Sequence, residues 1–156
     1  MFDAVPAASA ALLERAPDRV GVLATSAEHA LEGADLVVTL VTAPVDPRLD
    51  ALGTDPDAIV LPVDYDDALG SVAADDASCY IVDDLAQYAS VADRHWRGFR
   101  DPDGELADVV EGTLAVPEHG RRMFLNMGIA MDDVALGALC YDRAIAGGVG
   151  RTIEFP

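Results

Sequence analysis

Short β-branched runs alternate with Ala-rich stretches along the chain. Residues 36–41 read Leu-Val-Val-Thr-Leu-Val, apolar almost throughout, which predicts a strand covered on both faces as in parallel sheets. Residues 58–63 predict a second strand, with Pro62 near its end because proline cannot donate to a ladder. Residues 20–24, 79–82 and 123–125 predict three more. Helices are predicted over residues 6–16, over a short stretch capped by Ser26, and over residues 85–96. A further short helix over 105–110 is ended by Gly112. The longest spans residues 128–146 and stops at Gly147-Gly148. On it Met131, Val134, Ala138, Tyr141 and Ile145 share one face and Leu136, Leu139 and Cys140 a second. Two apolar faces predict packing between layers or at a subunit contact. Strands alternating with helices give an α/β fold with a mostly parallel sheet, in a single domain over residues 1–156.

Charge narrows the partners. Ten basic residues against 28 acidic ones leave a formal net charge of −18. Every basic residue is Arg, so lysine chemistry is impossible, and Asp dominates the acids. Such a field repels phosphate backbones and anionic lipid, which predicts no binding to nucleic acid or to a membrane surface. No apolar run is long enough for a transmembrane helix. The start, Met1-Phe2-Asp3, lacks a signal-peptide pattern, and with only Cys79 and Cys140 a reducing cytoplasm is expected. Both cysteines sit in apolar segments and read as small buried hydrophobes. The acidity fits adaptation to high salt or a codon bias toward Asp and Arg, and the two origins weigh equally.

In parallel sheets ligands bind beyond the carboxyl ends of the strands. That directs attention to Thr25-Ser26, Thr42-Ala43-Pro44, Asp64-Tyr65-Asp66-Asp67, Asp83-Asp84 and Asn126-Met127-Gly128. Asp64 and Asp66 could share a Mg²⁺ or supply a nucleophile, giving a Mg²⁺-dependent phosphotransferase as one alternative. Asp-rich composition makes that spacing common by chance, so a single acid/base carboxylate is favoured over a metal site. Gly147-Gly148-Val149-Gly150 follows a helix instead of opening one, and so reads as a helix stop. His29, His95 and His119 lack metal-ligand spacing, and Arg94, Arg97 and Arg100 are expected to neutralise nearby acids.

From Met123 the chain reads Met-Phe-Leu-Asn-Met-Gly-Ile-Ala-Met-Asp-Asp-Val-Ala, continuing to Tyr141-Asp142-Arg143-Ala144 and Gly148-Val149-Gly150. This resembles the C-terminal signature of the ornithine cyclodeaminase/mu-crystallin family. Gly33-Ala34-Asp35-Leu36-Val37-Val38-Thr39, Val63-Asp64, the run from Val82 to Tyr88, and Gly104-Glu105-Leu106 also fit that pattern. The resemblance implies a Rossmann-like three-layer fold with a mostly parallel sheet, partial because the first βα unit is missing. It implies NAD or NADP as cofactor, a small amino acid or imino acid as substrate, and activity in ornithine cyclodeamination, ketimine reduction or alanine dehydrogenation. By position it makes Asp64 the catalytic acid/base. Thr39, Thr42 and Ala43 would lie along the cofactor, Asn126, Met127 and Gly128 near the nicotinamide with Asp133 close by, and Asp3 on the adenosine ribose. The family's Gly-x-Gly-x-x-Gly loop and N-terminal domain have no counterpart here. A homo-oligomer or a separately encoded N-terminal half would then complete the site, and the open sheet edge would invite self-association. The alternative is a non-catalytic remnant that folds without turnover.

Overall fold

The structure is a computed structural model that describes residues 1–15, 21–42, 48–65 and 68–154. The elements in chain order are α1 (Pro6–Arg15), α2 (Ala27–Leu31), β1 (Leu36–Thr39), β2 (Ile59–Pro62), α3 (Ser71–Asp75), β3 (Cys79–Val82), α4 (Leu85–His95), β4 (Gly104–Glu105), α5 (Leu106–Glu111), β5 (Arg122–Leu125) and α6 (Ala130–Gly147). All pairings are parallel, and the five strands lie in the order β1-β2-β5-β3-β4. The α/β architecture with a parallel sheet and a long C-terminal helix is therefore present. The chain leaves β2, passes the place of β5 to form β3 and β4, and returns to fill the gap. The register sets Leu36 beside Ile59, Ile59 beside Arg122, and Cys79 beside Arg122, so the carboxyl ends of four neighbouring strands come out at one rim.

Local chemistry explains the element ends. Ser26 Oγ accepts from the His29 amide at 3.1 Å and starts α2. Asp84 Oδ1 accepts from the Gln87 amide at 2.5 Å and starts α4. Gly112, in the left-handed region at φ 75°, ends α5. Pro62 closes β2, where its lack of an N–H costs nothing and its carbonyl still accepts from the Asn126 amide at 2.8 Å.

The core lies at the middle of the sheet. All four residues of β3 are buried, with Val60, Met123 and Leu125 from the flanking strands. An aromatic group packs on one side: Trp96 is stacked between Tyr88 (centroids 5.5 Å apart, planes at 12°) and Tyr65 (5.7 Å, 9°). Arg100 pins this side. Its guanidinium donates to both Asp103 carboxylate oxygens at 2.9 Å and to the carbonyls of Ala74 and Ala77 at 3.0 and 3.2 Å. Asp103 Oδ2 also accepts from the Tyr80 amide at 2.7 Å. Arg100 therefore neutralises a neighbouring acid, as its sequence context suggested.

Several expectations are corrected. Residues 21–24 form no strand, and residue 20 lies outside the described residues. Among the described residues their backbone partner is the N-terminus: the Met1 ammonium donates to Val22 O at 2.9 Å and the Ala24 amide to Met1 O at 2.8 Å, with no ladder to β1. β1 stops at Thr39 instead of residue 41, because the Val41 amide turns to a side chain (below). β1 is also an edge: Leu36 and Val38 are about half exposed, so it is not covered on both faces. Helix α6 has no buried residue, so among the described residues it does not pack between layers. Cys140, on α6, is exposed, whereas Cys79 is buried as expected. The two-residue β4 and short α3 escaped the pattern because neither is long enough to show a period.

Candidate functional site

The rim gathers residues from four adjacent strand ends. Asp64, two residues past β2, is buried. Its Oδ1 accepts from Thr39 Oγ1 at 2.9 Å, and its Oδ2 accepts from the Val41 amide at 2.8 Å. The carboxylate therefore bridges the tips of β1 and β2 and redirects the chain leaving β1. Thr39 and Asp64, singled out separately from sequence, are in direct contact.

At the next pair of tips the anchor is Asp83, which follows β3. Its Oδ2 accepts from the Met127 and Gly128 amides, each at 2.7 Å, and its Oδ1 from the Asp84 amide at 3.0 Å. Gln87 Nε2 donates to Gly128 O at 3.1 Å. These bonds fix the turn from β5 to α6, and Gly128 at φ 82° takes a backbone conformation in which a Cβ would be strained. Asn126 continues the ladder through its amide, and its Nδ2 donates back to Phe124 O at 2.8 Å. Asn126, Met127 and Gly128 thus sit on the same rim as Thr39 and Asp64. Asp83 carried no sequence signal beyond its place after a strand, because its partners are backbone amides 44 and 45 residues away.

The remaining predicted residues fall elsewhere. Thr42 is exposed just beyond β1. Ala43 lies outside the described residues, as does Asp66 of the Mg²⁺ alternative. Among the described residues no group of three or more His, Cys, Asp or Glu side chains is placed to hold a metal ion. Asp133 is exposed in the first turn of α6. Asp3 lines a separate recess of about 320 Å³ with Phe2, Pro6, Ser9, Leu23, Ala24 and Thr25. There Asp3 Oδ1 accepts from the Val5 amide at 2.7 Å. Ser9 is buried, and its hydroxyl has no hydrogen-bond partner among the described residues. Of the histidines, His29 touches Thr25 Oγ1 at 3.1 Å, His119 touches Asp57 at 3.3 Å, and His95 lies against the Tyr65 ring.

With this geometry in hand, comparison with known proteins is limited but consistent in one respect. No family model matches the chain. The nodulation efficiency protein NfeD of Rhizobium meliloti is 28% identical over 134 residues, which is 83% of this chain and 42% of that protein. The crystal structure of CmnK superposes with a TM-score of 0.77 at 24% identity, over 99% of this chain and 48% of that one. The latter shows the fold, consistent with a Rossmann-like sheet. The chain spans less than half the length of both. The resemblance to the ornithine cyclodeaminase/mu-crystallin family is corrected on these findings: the matching relative bears a different name, at weak identity, and no family model supports the assignment. The NAD, oxidoreductase, lyase and amino-acid-metabolism readings that the resemblance alone supplied are withdrawn with it. No helix among the described residues is long and apolar enough to cross a membrane.

Proposed function

We propose that this chain supplies one part of a small-molecule site in a larger protein, and that the ligand is a hydroxyl-rich nucleotide lying against the carboxyl rim. The observation that carries this reading is the convergence of Thr39, Asp64, Asp83 and Asn126–Gly128 at the ends of four adjacent parallel strands, the place where open α/β sheets take their ligands. The rim is acidic, so it suits hydroxyls or a cationic ring and not a free phosphate. The phosphates of a nucleotide would need a cradle from the part of the protein that this chain does not span. The recess lined by Asp3 supports a second contact for sugar hydroxyls.

Adenosine, AMP and ADP-ribose are the probes. Backbone amide NMR during titration to millimolar concentration is expected to move the resonances of Val41, Asp64 and residues 126–128. No change with any of the three, or changes confined to sites away from the rim and recess, would overturn the reading. The hydrogen bonds on both Asp64 oxygens favour a second reading, in which Asp64 is a latch and the domain is non-catalytic. Asp64→Asn separates them. A latch loses stability in proportion to its lost bonds, whereas an acid/base loses turnover in the completed protein with the fold intact.

A further inference from the structure

Among the described residues helix α6 stands clear of the sheet, with its start tied down through Asp83 and Gln87. Met131, Val134, Leu136, Tyr141 and Ile145 are each more than 60% exposed, and Leu139 nearly half. Most of this surface carries no pattern that selects a partner, but one line of it does. Asp132, Leu136, Leu139 and Arg143 are spaced four, three and four residues apart and fall within about 60° of one another around the helix. Along the helix this stripe reads acid, apolar, apolar, base.

We propose that this stripe docks antiparallel onto the same stripe of a second copy of the chain. With the two-fold axis between residues 137 and 138, Leu136 meets Leu139 of the second copy and Asp132 meets its Arg143. Each contact then occurs twice, as an isologous interface demands. A parallel pairing would instead set Asp132 on Asp132 and Arg143 on Arg143, so the charges select the orientation. The stripe runs about 16 Å, which is short beside a standard interface, so the dimer is reversible with a dissociation constant on the order of micromolar. The net charge of −18 on each copy opposes association, and moderate salt screens that repulsion.

Sedimentation equilibrium of the 156-residue chain in ~0.3 M salt tests this. The wild type is expected to dimerise, and Asp132→Arg and Arg143→Asp are each expected to weaken the dimer by at least about tenfold. The double variant Asp132→Arg/Arg143→Asp is expected to recover most of that loss, because the pair is re-formed with its sign reversed. Leu136→Asp should leave a monomer. Far-UV circular dichroism on each variant keeps loss of helix apart from loss of contact. A wild type that stays monomeric to ~0.5 mM overturns the proposal. So does a dimer untouched by the single changes, which would point to the free edge of β1, or a double variant that does no better than the singles.

Discussion

Asp83→Ala removes the anchor of the β5–α6 turn, and its cost can be worked from the contacts. The carboxylate takes two cross-element bonds at 2.7 Å, from the Met127 and Gly128 amides, and one local bond from Asp84. Bonds to a charged acceptor contribute about 1.5–3 kcal/mol each when the donors have no substitute. Here Gly128 is exposed and Met127 half-buried, so water can replace part of what is lost. The expected cost is therefore about 1.5–3 kcal/mol for the pair together, not for each bond. Because α6 adds no buried residue beyond the turn, most of this should appear as local opening. Amide exchange at residues 127 and 128 is expected to speed up by about ten- to a hundredfold, while the urea midpoint followed by Trp96 emission falls less. Asp83→Asn should sit between: it keeps one acceptor oxygen but turns an amide N–H toward a backbone N–H. Unchanged exchange at both residues in Asp83→Ala would refute the clamp.

Two further expectations follow from charge and burial. The Arg100 guanidinium holds the Asp103 carboxyl below its ordinary value of 3.8, so the pair contributes stability above about that pH and loses it as pH falls through the lower folded value; thermal melts should show Asp103→Ala costing about 1–2 kcal/mol at pH 6, a figure kept low because Asp103 is 40% exposed, with the gap to wild type closing below pH 3.8. A gap that persists or widens in acid would contradict this sign. One thiol, Cys140, should react with a water-soluble disulfide reagent at once; Cys79, buried and with its thiol pushed up chiefly by that burial, should react only after unfolding. Two fast thiols in the native protein would contradict the placement of β3.

What could be read from the residues, and what could not, divides by the range of the interaction. The strand at 79–82 was legible to the residue because four consecutive apolar side chains there fill both faces of a central strand. Ser26 and Gly112 were legible because a cap acts within one turn. Asp64 stood out as a strand-tip residue, whereas Thr39 was expected inside a strand running to residue 41; their contact was not legible, since it depends on β1 lying beside β2 in one register. Residues 21–24 have a strand's composition and still form none, because a strand exists only with a neighbour, and the described residues beside them offer two backbone bonds with Met1 in place of a ladder. The same reasoning explains α6. Its apolar faces were plain in the sequence, yet the pattern that predicts burial cannot say what does the burying. Here nothing within the described residues does, and the edge of β1 is likewise left open. The exposed face of α6 and the half-exposed Leu36 and Val38 of β1 are therefore one physical fact: the apolar pattern extends beyond what the described residues cover.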